Sequence, residues 1–169
     1  EVINRAVIEG ADKFYLPAID STTHKQMITL EENYPGKCIA MMGLHPCSVK
    51  ENYLQELQIV EEWLTKRKFA AVGEIGLDFY WDKTFTEQQY DAFRKQIELS
   101  LHYKLPIVIH TRNAMPETIT VVKEYASKGI NGIFHCFSGT YTEAVEIINM
   151  GFYLGIGGVI TYKNAGLAE

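Results

Sequence analysis

Cysteine, basic charge and long apolar runs are all scarce in this chain, and each scarcity excludes something. The three cysteines, Cys38, Cys47 and Cys136, are odd in number and form no Cys-x-x-Cys pair. Neither a disulfide framework nor a zinc knuckle is therefore expected, and they read as reduced thiols. No stretch approaches the ~20 uninterrupted apolar residues of a membrane-spanning helix. Residues 1 to 11 alternate charged with apolar side chains where a signal peptide would carry an apolar block. No membrane partner and a cytoplasmic location are expected. Sixteen Lys and Arg stand against 21 Asp and Glu, a net charge of -5, which excludes a broad basic surface for nucleic acid and leaves only local phosphate contacts. Internal repeats, low-complexity tracts and linkers are lacking as well. What remains, 47% hydrophobic and 22% charged over 169 residues, suits one globular domain spanning residues 1–169.

Short apolar runs that end in polar or turn residues recur at Phe14 to Asp20, Ile39 to Pro46, Ala70 to Asp78, Ile107 to Thr111, Ile133 to Phe137 and Tyr153 to Gly158. They are predicted to be buried strands. Between them, Tyr53, Leu54, Leu57, Val60 and Leu64, then Tyr90, Phe93, Ile97 and Leu101, recur at helical spacing. Capping-box pairs are expected at Thr86 with Gln89 and at Thr140 with Glu143, a cap at Ser21, and helix stops at Gly129, Gly151 and Leu105-Pro106. Successive strand ends lie 21 to 33 residues apart, near the ~31 per unit of a (β/α)8 barrel. An open doubly wound sheet gives the same alternation. Residues 1 to 11 read as the end of a helix, and residues 166 to 169 fall where another helix should be under way. About one βα unit is thus expected beyond each end, with strands 2 to 7 of a TIM-type barrel present.

In parallel α/β folds the reactive groups gather at the carboxyl ends of strands, and there stand His45, Glu74, Asp78, His110 and His135. A strand buried on both faces has no structural use for ionisable side chains unless something compensates them. One strand-end histidine is more often a hydrogen-bonded core residue than a ligand. Three on separate strands, with Glu74, form a donor set suited to divalent ions. Alternation places Glu74 and Asp78 on one face, one to ligate and the other to act as base or orient a ligand; a plain turn role for Asp78 is equally open. Arg112 is a candidate phosphate contact or a surface charge. Ser138 precedes a helix N-terminus that favours an anion. Phe79, Tyr80 and Trp81 are read as loop packing more readily than as a base-stacking platform. Lys66-Arg67-Lys68 suits a helix C-terminus, and Gly155 to Gly158 a strand open to close packing.

Four segments in order, Gly43-Leu44-His45-Pro46, Gly73-Glu74-Ile75-Gly76-Leu77-Asp78, Ile109-His110-Thr111-Arg112 and His135-Cys136-Phe137-Ser138-Gly139, resemble the TatD-type hydrolases. The resemblance covers essentially the whole chain. It implies a TIM-type barrel, one or two divalent cations (Mg, Mn or Zn), and hydrolysis of DNA phosphodiester bonds, often from the 3′ end. It implies metal-ligand roles for Glu74, His110 and His135, substrate or water contact for His45, and phosphate contact for Arg112, with Ser138 beside it. Glu74 and Asp78 are the catalytic candidates. The family's His-x-His pair on the first strand and its Asp near the eighth have no counterpart in these residues. Two other functions suit the same residues: a metal-dependent barrel hydrolase of amides, esters or lactones, and a non-catalytic binding module with an incomplete metal site.

Overall fold

The computed structural model describes residues 1–166. Its elements alternate: α1 (Val2–Ile8), β1 (Phe14–Leu16), α2 (Ser21–Asn33), β2 (Cys38–Ala40), α3 (Tyr53–Lys66), β3 (Val72–Asp78), α4 (Thr86–Tyr103), β4 (Ile107–Arg112), α5 (Met115–Lys123), β5 (Gly132–Phe134), α6 (Tyr141–Asn149) and β6 (Tyr153–Leu154). All pairings are parallel. β1 pairs with β2, β3 to β6 form a second ladder, and the Met42–Val72 bridge joins the two. Each strand therefore neighbours its successor in sequence. A doubly wound sheet reverses strand order at its switch point, and these six strands show no reversal, which is the order of a TIM-type barrel.

The strands are shorter than the apolar runs suggest. Past the regular ladders single backbone bonds continue the pairing: Ala18 N–H to the Met41 carbonyl at 3.2 Å beyond β1, and Gly155 N–H to the Phe134 carbonyl and Phe137 N–H to the Gly155 carbonyl, both 2.8 Å, beyond β6. Ile107 and Ile109 are fully buried, while Val108 and His110, which alternate with them, are not. The buried set packs with Val72, Ile75 and Leu77 of β3 and with Phe93 and Ile97 of α4. At roughly 1.5–3 kcal/mol per buried aliphatic or aromatic side chain, this packing outweighs intrinsic propensity in holding the helices. The alternate residues, among them Tyr15, Met41, Val108 and Ile133, line a cavity of about 650 Å³ on the other face.

Caps differ in detail from expectation. α2 is capped by Asp20, one residue before Ser21, whose backbone N–H and hydroxyl instead donate to Glu56 at 2.8 Å. α6 has the expected Thr140–Glu143 box. α4 has no side-chain cap: Thr86 bonds the Lys83 carbonyl, and Gln89 turns inward. Gln89 accepts from the Asp78 N–H at 2.9 Å and donates to its carbonyl at 3.2 Å, while Gln96, two turns on, does the same to Leu44 at 2.7 and 3.1 Å. One helix face thus satisfies the buried backbone of two strand ends, those carrying Asp78 and leading to His45.

Candidate metal centre at the strand ends

Glu74 reaches the site because β3 is irregular. Gly73 pairs with Val108 and Ile75 with Ile109, leaving Glu74 as an extra residue between them. Simple alternation is broken at that point, yet Glu74 and Asp78 both meet His110. The close approach of β3 to β4 requires glycine at 76, where φ is +143° and a Cβ would lie 2.0 Å from the His110 carbonyl oxygen.

His110 is the centre of the arrangement. Its Nδ1 is 3.3 Å from Glu74 Oε1 and its Nε2 is 2.9 Å from Asp78 Oδ2. The His45 ring packs edge-on against it, centroids 4.4 Å apart. His45, Glu74 and His110 each offer a ligand atom within 4.8 Å of the others. Burial works against a charge on His110, but the two carboxylates outweigh it and raise its pKa; burial likewise works against Glu74 and Asp78, and His110 outweighs it and holds both below the usual carboxylate range. His45, pushed down to about 4 by burial and by His110, is neutral at pH 7. Its Nδ1 accepts the Cys47 N–H at 3.1 Å, so the neutral ring carries its proton on Nε2 and presents a donor.

Asp78 is 1% exposed and its carboxylate is occupied on both sides. Oδ2 faces His110 and accepts from the Cys47 thiol at 3.4 Å; Oδ1 accepts the backbone N–H groups of Tyr80 and Trp81 at 2.9 and 3.1 Å. The Cys47 pKa is pushed up to about 11 by burial and by Asp78, which keeps it a thiol donor. Both oxygens of the Asp78 carboxylate are thus engaged, one of them on His110, an arrangement that would suit the orienting of a ligand.

The donor set fits a divalent cation. Ligand bonds of ~2.0–2.2 Å let two donors of one ion lie up to ~4.4 Å apart, close to the spacing here. Among the described residues, the only polar contact of the buried Glu74 carboxylate is with Nδ1 of His110, so a cation exchanging for the Nδ1 proton would meet a carboxylate and an imidazole together. Asp78 would keep the Nε2 proton, the carboxylate–histidine–metal order of many metal sites. His135 stands outside the compact group: it is exposed, its Nε2 is 3.2 Å from Cys136 Sγ, and it lines the 650 Å³ cavity with Glu74. Its charge contributes to lowering the Glu74 pKa.

Arg112 and Ser138 share a second cavity of about 610 Å³ with Asn113 and Thr140. The helix N-terminus after Ser138 is not an open anion site. Glu143 fills it, accepting from the Thr140 N–H at 2.7 Å. Sequence reading gave Gln89 a different role, in a capping box with Thr86, and did not find Gln96, since a buried glutamine that holds strand backbone carries no pattern of its own. Tyr80 and Trp81 lie against Arg112, whose Cζ is 3.9 and 5.3 Å from their ring centroids.

A strand order of barrel type with a carboxylate–imidazole cluster at its carboxyl rim defines a TIM-type architecture with a candidate metal centre. The family described as TatD related DNase matches residues 1–168, and the chain belongs to that family. It is 36% identical over 165 residues to the uncharacterized metal-dependent hydrolase YabD of Bacillus subtilis, covering 98% of this chain and 64% of that protein. Among solved structures it is similar to YjjV, a TatD homologue of Escherichia coli K12, with TM-score 0.87 and 31% identity over 95% of this chain and 62% of that one. A TatD family hydrolase from Entamoeba histolytica gives 0.72 and 30%, over 92% and 55%. The chain therefore spans less than two thirds of the length of these relatives. No helix among the described residues is long and apolar enough to cross a membrane.

Proposed function

We propose that this chain carries part of the active site of a divalent-metal-dependent hydrolase that cleaves DNA phosphodiester bonds exonucleolytically. The observation that supports it most is His110 held between Glu74 and Asp78 at the rim of the sheet. One or two divalent ions, Mg, Mn or Zn, would supply Lewis acidity, lowering the pKa of water and offsetting charge on the leaving oxygen. Glu74 and His110 Nδ1 are the ligands we assign with most support, and His135 is assigned as a third from the facing strand end. Asp78 fixes the tautomer and direction of His110. His45 offers Nε2–H to a phosphate oxygen or to the attacking water. Arg112, a permanent cation beside the site, favours an anionic substrate over a neutral amide or lactone. Ser138, exposed and lining one cavity with Arg112, would contact the same substrate.

The test is cleavage of 3′- and 5′-labelled single-stranded DNA by the full protein with EDTA and with added Mg²⁺, Mn²⁺ or Zn²⁺. Activity should require a cation and be lost in Glu74→Ala. Cleavage in EDTA, or full activity in Glu74→Ala, would overturn the proposal. Metal-dependent hydrolysis of an ester or amide substrate with no cleavage of DNA would redirect it to the other bond class.

A further inference from the structure

The loop after β3 carries exposed aromatic side chains tied to the metal cluster through Asp78. The carboxylate that holds His110 by Oδ2 accepts, on Oδ1, the backbone N–H groups of both Tyr80 and Trp81. The backbone that carries the rings is therefore tied to the cluster by a short, partly buried connection rather than lying on a free loop. They meet edge to face at 4.8 Å. The Arg112 guanidinium covers one face of Tyr80, and Arg112 pairs in register with Asp78 on the neighbouring strand.

Exposure divides the labour. Tyr80, 51% exposed, is engaged by Arg112 and by the edge contact with Trp81, whereas Trp81 is 68% exposed and lies farther from the guanidinium. A large flat ring left this open, on a loop whose backbone is pinned, gives up packing that burial would supply. Cation, aromatic faces and cluster are contiguous. Indole offers the strongest of the aromatic surfaces for a second flat π system, and a base has such a face whatever its sequence. In a chain of net charge -5 this is a local rather than a broad nucleic-acid contact.

We infer that Trp81 is a substrate-contacting residue that stacks an unpaired nucleobase next to the phosphodiester held by Arg112, so that single-stranded ends are selected over paired ones. This rests on the nuclease reading above. Tyr80 acts through Arg112, holding the guanidinium in place, and is a positioning residue.

The experiment compares the metal-loaded full protein with its Trp81→Ala and Trp81→Phe variants on a single-stranded oligonucleotide, on a blunt duplex, and on an oligonucleotide of equal length whose terminal three residues are abasic. Loss of one stacked base should raise KM for the single strand about ten-fold or more in Trp81→Ala, with kcat little changed and with substantial rescue by Phe. On the abasic substrate wild type and Trp81→Ala should perform alike. Equal KM for normal and abasic strands in the wild type, or an equal loss on both in Trp81→Ala, would overturn the inference while leaving the nuclease reading intact. Quenching of Trp81 fluorescence by the oligonucleotide, taken as the difference between the wild type and Trp81→Phe, separates the two ideas. Base-dependent quenching without cleavage would refute the nuclease reading and support stacking; its absence in a protein that cleaves would refute stacking alone.

Discussion

Replacing Asp78 by Asn separates a residue that orients a ligand from one that ligates or takes a proton. Asparagine is nearly isosteric, and its carbonyl oxygen can still accept the Tyr80 and Trp81 N–H groups. Its amide nitrogen would then face His110 Nε2, where the carboxylate oxygen now stands at 2.9 Å. Two donors would oppose each other, so the ring must present Nε2 as an acceptor and carry its proton on Nδ1, toward Glu74. The lone pair needed for a cation then points the wrong way. Losing such an outer partner typically costs 10–100-fold in metal affinity, or ~1.4–2.7 kcal/mol. The assay is competitive titration of Mn²⁺ or Zn²⁺ against a fluorescent chelator, with hydrolysis followed as metal is raised. Affinity should fall by that factor, and saturating metal should restore much of kcat. Unchanged affinity would refute the positioning argument. A kcat that stays abolished at saturating metal would show that Asp78 acts on the reaction itself.

The cluster also sets a pH dependence for the metal-free protein. His110 has a raised pKa, so its contribution is full below the unfolded value of ~6.5 and is lost as pH rises through the folded one. Glu74 and Asp78 have lowered values, so theirs is present above ~4.5 and is lost as pH falls through the folded ones. Denaturant titrations should place the largest contribution between about pH 4.5 and 6.5, while metal affinity should rise with pH up to the raised His110 pKa, because the cation displaces a proton there, and level off above it; metal binding that does not change with pH below that point would contradict this. Gln96→Leu should destabilise by roughly 3 kcal/mol in urea unfolding, since two buried backbone groups of Leu44 lose their partners. A loss below ~1 kcal/mol would mean that water replaces the side chain. Gly76→Ala should cost on the order of 3 kcal/mol or prevent folding, because its Cβ meets the His110 carbonyl; a normal melting temperature would contradict the β3–β4 geometry.

Alternating apolar runs made the order of strands and helices legible, because burial on a parallel sheet leaves a repeating mark. The closure pattern was not legible, since barrel and open sheet share that mark and differ only in which strands meet. The clustering of Glu74, Asp78 and His110 followed from their places at strand ends. The hydrogen bonding around them did not: it depends on which oxygen each donor reaches, and Asp78 is engaged by Tyr80, Trp81, His110 and Cys47 through contacts with no spacing rule. His45 joins the compact group in place of His135 because the 4.4 Å ring contact arises between strand ends that sequence separation cannot rank. The Thr86–Gln89 pattern misled for a physical reason, as Gln89 satisfies more buried backbone by clamping Asp78 than by capping α4.

Diffraction data from Mn²⁺-loaded crystals of the full protein, collected at the manganese absorption edge, address the metal centre itself. An anomalous peak should lie ~2.2 Å from both a Glu74 oxygen and His110 Nδ1, with His110 Nε2 still on Asp78. A peak that touches neither Glu74 nor His110 would contradict the assignment of this rim as the metal centre.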